Sequence, residues 1–353
     1  MSLSTLAANM KILLIRRDNI GDLILTTPLI ATLAGQKTNK LDLLVNTYNK
    51  DVLEGNPHIG KVHLYCKSHH RKLGQTLLGV YLARLKTIFS VRFARYDVAI
   101  VGSSDKRALK WAKMSGAKRI IAIGDHWPDC VTDKIPSVKG QHIVESLNKL
   151  SQPLGIDQLP GPLELYVSEP EIAKMAEKYG IKRDKPVYGV QISARKPQQR
   201  WQVEKFIEFT RRLSAREDCQ IVLFWSPGAE DNPEHPGDDS KAQRIIDACA
   251  DINLIALPTR SIRELMAAMS LCDQIITSDG GALHIAAGVQ KPVVAMFGNS
   301  DAVYWGPWKV PCAVINAPSE DVGLLDVDSV YSHFTALRAR VLAPAEERVL
   351  LTA

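Results

Sequence analysis

Four short segments of this chain combine residue types able to bind phosphate or to move a proton. The first is the turn Arg16-Arg17-Asp18-Asn19-Ile20-Gly21-Asp22, which follows the apolar run KILLI. A strand, a tight turn with one glycine and a helix starting near Asp22 would hold that carboxylate at the end of a sheet. Two chemistries are open to it. As a first-turn residue it stabilises the positive end of the helix dipole, and at the mouth of a cleft it acts as a general base. The G-x-G-x-x-G fingerprint of dinucleotide binding is missing, which argues against a nicotinamide dehydrogenase.

The second segment is Ser278-Asp279-Gly280-Gly281-Ala282-Leu283-His284, placed between an apolar strand pattern and a helix. Two glycines allow close backbone approach, and the free N–H groups of a helix start suit a diphosphate. His284 falls one helical turn after Gly280 and adds a donor on the same side. The plain alternative is that the glycine pair only makes the turn. The third segment, Ser193 to Trp201 (SARKPQQRW), sets hydroxyl and cationic side chains just before a helix, where an anionic leaving group is stabilised. A solvated basic loop is its competing reading. In the fourth, Phe297-Gly298-Asn299-Ser300 precedes Trp305 and Trp308, which form either a pocket wall or ordinary packing.

These segments need elements to position them. Apolar strand patterns recur at 11–16, 41–46, 61–65, 97–101 and 119–123, and again at 187–192, 220–225, 273–277 and 292–297. Helical patterns fall between them near 22–34, 74–95 and 107–115, then near 201–216, 240–250, 261–271 and 281–288. Such alternation predicts α/β folding, with parallel sheets covered by helices on both faces. A Pro/Gly-rich stretch around 153–170 separates the two runs. The predicted organisation is a first doubly wound domain over 1–165 and a second over 185–328. The tail, 329–353, is expected to form a helix that packs back on the first domain. The carboxyl ends of both sheets would then meet at a shared cleft.

With 353 residues the chain is long enough for two ordinary domains. Its six cysteines are scattered with no C-x-x-C pair, which favours reduced thiols over a disulfide framework or a zinc site. The N-terminus shows no signal-peptide pattern, and no apolar run approaches the roughly 20 residues needed to cross a bilayer. A cytoplasmic protein is expected. The net charge of +6 is unevenly spread: between Glu54 and Asp97 there are eight Lys/Arg and no acidic residue. A field of that sign attracts phosphate-bearing partners or an anionic membrane surface. No nucleic-acid-binding module accompanies it.

Taken together, the motifs resemble glycosyltransferase family 9, the lipopolysaccharide heptosyltransferases. The resemblance rests on KILLIRRDNIGDLILTTPL, on SDGGALHIAAGVQKPVVAMFG and on the pair Arg200-Trp201, in that order along the chain. It implies the GT-B architecture of two Rossmann-like domains facing a central cleft, with inversion at the anomeric carbon. It also implies that no metal and no cofactor is needed. Under the resemblance Asp22 looks like the catalytic base. Ser193, Lys196, Arg200, Asp238, Asp279, Gly280, Gly281 and His284 look like the donor site, with Arg200 as the cation on the departing diphosphate and Lys196 in reserve. Asp238, Asp239 and Glu230 compete for the donor ribose.

The implied donor is a nucleotide-diphosphate sugar, most directly ADP-heptose. The implied acceptor is a lipid-linked or phosphorylated glycan such as the lipopolysaccharide core. Lys67, Arg71 and Lys72 are expected to meet acceptor phosphates or the anionic inner membrane, making the protein peripheral there. Two departures stand out. Gly280 occupies a position where the family usually has a hydroxyl, and Gln199-Arg200-Trp201 replaces a lysine-containing version. A same-fold transferase with another nucleotide sugar, and a catalytically weak scaffold subunit of a glycan assembly complex, are the alternative functions.

Overall fold

The computed structural model describes residues 10–35, 40–65, 76–124, 126–232 and 236–344. The chain divides into two compact units, Met1–Tyr166 and Val167–Ala353. Lys67, Arg71 and Lys72 lie outside the described residues.

In the first unit six strands form one parallel sheet: β1 (Lys11–Ile15), β2 (Lys40–Asn46), β3 (Val62–Tyr65), β4 (Val98–Val101), β5 (Arg119–Ile123) and β6 (Asp133–Ile135). The order is β3-β2-β1-β4-β5-β6. Among the described residues α1 (Ile20–Ile24), α2 (Thr27–Ala34), α3 (Leu77–Phe93) and α4 (Lys106–Ser115) lie between these strands, and α5 (Ile143–Asn148) follows β6. Strand β1 is wholly apolar from Ile12 to Ile15 and fully buried there, as a central strand covered on both faces must be. The single helix expected over 22–34 is two. Pro28 sits in the first turn of α2 and has no N–H to offer backward, and the Thr27 hydroxyl takes the Ile24 carbonyl instead (2.7 Å).

The second unit repeats the plan. Its strands are β7 (Val187–Gln191), β8 (Gln220–Trp225), β9 (Leu254–Pro258), β10 (Gln274–Ser278), β11 (Val293–Phe297) and β12 (Cys312–Asn316). They are ordered β12-β11-β10-β7-β8-β9, the same arrangement with β7 in the place of β1. The helices are α6 (Glu169–Tyr179), α7 (Val203–Arg216), α8 (Asp239–Ala248), α9 (Ile262–Ser270), α10 (Gly281–Gly288), α11 (Ala302–Trp305) and α12 (Val327–Leu342). Trp201, Phe206, Phe209 and Phe334 pack together in its core, with Tyr188 set edge-on against Phe334.

Five further elements differ from the sequence expectation. The edge strands β6, β9 and β12 are short or only half-buried, so their apolar signal is weak. The stretch read as a connector carries α6, started by a capping box between Ser168 and Glu171. Arg263 of α9 grips Glu171 through both carboxylate oxygens, and that pairing with two Ser168 bonds pulls the Glu171 carboxyl down to about 2. The terminal helix also departs from expectation. Val330, Phe334 and Leu337 of α12 are buried in the core of the second unit, against β7 and α7, because its apolar stripe matches the face those elements leave open.

Candidate active site

In a doubly wound sheet the strand order reverses at one point, and loops leaving the carboxyl ends of the two strands there diverge to make a crevice. In the first unit that point lies between β1 and β4, and in the second between β7 and β10. All the chemically suggestive segments except the tryptophan loop leave these strands.

At the first switch point Asp22 is held tightly. Its Oδ2 accepts the Asn19 backbone N–H (3.0 Å) and the Asn19 side-chain amide (3.2 Å). Its Oδ1 accepts from Arg16 Nη2 at 3.2 Å, and the side chain is 16% exposed. Asp22 thus completes the capping box of α1 and pairs with a buried arginine, with part of its side chain still exposed. Next to it lie two residues given no role from the sequence. Arg17 is buried, and among the described residues its Nε and Nη1 have no hydrogen-bond partner. Its guanidinium lies 4.2 Å from the centre of the Tyr65 ring, and burial draws it below its usual value. Ser103, just beyond β4, is buried, and among the described residues its hydroxyl has no hydrogen-bond partner. Asp105 caps α4 through the Arg107 N–H and accepts the Arg107 side chain. The sequence signal for Arg17 was its place in the turn after β1.

At the second switch point the loops are laced together. Gln199 is buried, and its Nε2 donates to Asp279 Oδ2 (2.7 Å) and to Ser300 Oγ (3.2 Å). Ser300 Oγ donates to the same Asp279 oxygen at 2.7 Å. Three loops, after β7, β10 and β11, therefore converge on one carboxylate. Beside it Gly280 begins α10 with φ 156° and ψ −171°, where a side chain would strain the backbone and would project into open space. Gly281 follows it as the first residue of α10, and His284 is buried on that helix. Gly298 has a different reason to be glycine. A Cβ there would stand 2.3 Å from the Gln198 carbonyl oxygen and 2.8 Å from that of Glu320.

Ser193 links the β7 and β8 loops. Its Oγ accepts the Ser226 N–H (2.8 Å) and bonds to the Asp238 carboxyl. Asp238 is buried, and burial pushes its carboxyl up. Lys241, one turn into α8, is also buried and donates to the Ile192 carbonyl (2.9 Å). Its ammonium lies 4.8 Å from the Phe206 ring centre, and burial pulls it down to about 8. Arg200 is half-buried, with Nε on the Ala194 carbonyl, and its charge acts on both Asp238 and Lys241. Lys196 is exposed. Of the other two acids expected to compete for a ribose, Asp239 closes its own loop by accepting Trp225 Nε1 and the Gly228 N–H, while Glu230 is exposed. Trp201 is core, its indole N–H on the Leu325 carbonyl. Trp305 and Trp308 are half-buried.

Among the described residues no group of three or more His, Cys, Asp or Glu side chains converges in a metal-binding cluster. No described helix is long and apolar enough to cross a membrane.

Residues 106–322 match the family described as glycosyltransferase family 9 (heptosyltransferase). The chain belongs to this family. It is a glycosyltransferase, and its two doubly wound units are those of the GT-B architecture. The matched residues include the whole second switch point, whereas Asp22 precedes them. Lipopolysaccharide heptosyltransferase 3 of Escherichia coli (strain K12) is 28% identical over 298 residues, covering 82% of each chain. Among solved structures, a family 9 glycosyl transferase from Veillonella parvula superposes with a TM-score of 0.82 at 17% identity, covering 95% of this chain and 99% of that one. E. coli ADP-heptose lps heptosyltransferase II superposes with a TM-score of 0.75 at 22% identity, covering 95% of this chain and all of the other. Gln199, which lies inside the matched range in the segment before Trp201, touches the carboxylate that opens the Asp279-Gly280-Gly281 turn.

Proposed function

We propose that this family 9 enzyme transfers a heptosyl group from ADP-heptose to a hydroxyl of a lipopolysaccharide core glycan, with inversion and without a metal. The observation that carries the reading is the lacing of the second switch point, where Gln199, Asp279 and Ser300 hold the start of α10 in place. The relatives' names supply heptose and the lipopolysaccharide acceptor.

In this reading Asp22 takes the proton of the acceptor hydroxyl as that oxygen bonds to C1 of the sugar. The bond from C1 to the donor's β-phosphate oxygen breaks on the opposite face, and ADP departs with its electrons. The backbone N–H groups of Gly281 and its successors face the diphosphate, and Arg200 and Lys196 add positive charge. Fixed donors of this kind act most strongly where charge develops in the transition state. Ser193 presents its hydroxyl, while Asp238 serves it from behind. Ribose recognition falls to Glu230, the exposed acid of the three.

The test is turnover of ADP-heptose on heptose-deficient core acceptors, with product stereochemistry read by NMR and EDTA present. Inverted product in EDTA supports the reading, whereas retained configuration or loss of activity in EDTA overturns the corresponding part. A thermal-shift panel of ADP, UDP, GDP, CMP and dTDP tests the nucleotide. A ligand at 100 times its Kd adds about 2.7 kcal/mol, and stabilisation by UDP or GDP in place of ADP would move the donor. A second reading, a donor-binding subunit without turnover, draws on one observation: both Asp22 oxygens already serve the cap and Arg16.

A further inference from the structure

Helix α3 is apolar on two sides, yet only one of them is covered. Val80 and Val91 are buried, the Thr87 hydroxyl bonds to the Leu64 carbonyl (2.8 Å), and Arg84 lies over the Tyr65 ring. Those residues fix the inner face. On the outside, Leu78, Tyr81, Leu82, Leu85, Phe89 and Phe93 are 42–74% exposed. At 100° per residue these six fall within an arc of about 120° centred opposite Val80 and Val91. Phe89 and Phe93 stack on each other with ring centres 6.0 Å apart. A patch of this kind amounts to several hundred Å² on the order of magnitude, where soluble proteins scatter exposed apolar side chains singly.

Charge selects what covers it. Exposed Arg92 lies inside the arc and exposed Lys86 at its edge, and α3 contains no acidic residue. The helix falls within the stretch from Glu54 to Asp97 that has eight Lys/Arg and no Asp or Glu between. A second copy of the chain would set this basic face against itself. An acidic protein would meet the charge but leave six large apolar side chains without a matching surface, whereas an anionic bilayer offers both an apolar interior and negative headgroups. We propose that the outer face of α3 lies in the surface of an anionic membrane, with Leu82, Leu85 and Phe89 in the acyl boundary and Lys86 and Arg92 at the headgroups. This deepens the acceptor side of the proposed function, since a lipid-linked glycan is met at such a surface.

The experiment is co-sedimentation of the full chain with vesicles of phosphatidylethanolamine and phosphatidylglycerol, beside vesicles of phosphatidylcholine alone. Binding is expected to the anionic vesicles, and to fall at least about tenfold in the double variant Leu82→Glu, Phe89→Glu. It should also weaken for Lys86→Glu and in about 1 M NaCl, where screening contracts to ~3 Å. Because the altered side chains are exposed, circular dichroism and Tm should match the parent. In a Phe89→Trp variant the emission should shift to the blue and be quenched by brominated acyl chains. Equal sedimentation of parent and double variant, absence of binding by the parent, or an unquenched tryptophan would overturn the proposal. So would a parent dimer that the double variant dissociates. Co-sedimentation needs neither donor nor acceptor, so vesicle binding by a protein that shows no turnover in the separate ADP-heptose transfer assay counts against the transferase reading alone. Transfer to a delipidated acceptor without vesicle binding counts against the membrane face alone.

Discussion

Gln199 donates a 2.7 Å hydrogen bond to Asp279, joining the loop after β7 to the loop after β10 at the point where the sheet order reverses. That bond, with Ser300 on the same oxygen, fixes the backbone at the start of α10. Gln199→Ala removes one of two side-chain donors to Asp279 and loosens this turn. A hydrogen bond to a charged group is worth about 1.5–3 kcal/mol, so donor Kd, measured by calorimetry with ADP, should rise at least about tenfold. An unchanged Kd would mean that the turn is set by the backbone alone.

Asp22 has two duties that one substitution separates. Asp22→Asn keeps the shape of the capping residue but loses the carboxylate that pairs with Arg16. Loss of a general base lowers kcat at least about 100-fold, while donor affinity should be unaltered. The cap and ion pair together should cost about 1–2 kcal/mol in stability. A lower Tm with full kcat would identify Asp22 as a cap and nothing more, whereas a parent protein that binds ADP without turnover would favour the donor-binding subunit.

Gly298 is irreplaceable for a steric reason. The Gln198 and Glu320 carbonyls that would meet a Cβ belong to backbone, which yields far less readily than a side-chain tip. Gly298→Ala should destabilise the second unit by about 2–3 kcal/mol, seen as a fall in Tm of roughly 6 °C. Since Gln198 precedes Gln199, donor affinity should weaken in the same variant. A wild-type Tm would show that these loops separate easily.

Much of the fold was legible because central strands buried on both faces are continuous apolar runs, as KILLI and QIVLFW are. Three of the four edge strands were not, since β9 and β12 are half-exposed and β6 is only DKI. The site was legible at its backbone. Gly280 and Gly281 announce a helix start, and Asp22 announces a strand-to-helix turn. What escaped were partners distant in sequence: Gln199 to Asp279 spans 80 positions, and no local pattern marks it. Lys241 was similarly hidden, although a lysine in the first turn of a helix that follows a strand end has a sequence phase that would have pointed it inward. Arg17 had the opposite problem: it stood in the right turn but beside Arg16, and both are buried. Only their partners tell the two apart, since Arg16 pairs with Asp18 and Asp22 while Arg17 Nε and Nη1 have no hydrogen-bond partner among the described residues.

Lys241 gives the proposed donor pocket a pH dependence whose sign is fixed. Burial lowers its ammonium from the ordinary 10.5 to about 8, although Asp238 and Glu230 oppose that shift and Arg200 reinforces it. Phe206 and the Ile192 carbonyl complete its surroundings. The folded state therefore binds fewer protons than the unfolded state between pH 8 and 10.5. Stability contributed by this site rises with pH across that window, and the penalty of holding a charged lysine is complete below it. Lys241→Met removes the titration. The difference in denaturation free energy between parent and variant should thus move in the parent's favour, by on the order of 3 kcal/mol from neutral pH to the top of the window. Donor binding should move the other way, because the charged ammonium supports Asp238 and Ser193 at the diphosphate side of the pocket. In the parent, ADP affinity should decline as pH passes about 8, and in Lys241→Met that decline should vanish. Parallel curves for the two proteins, in both stability and affinity, would show that the buried lysine stays charged throughout.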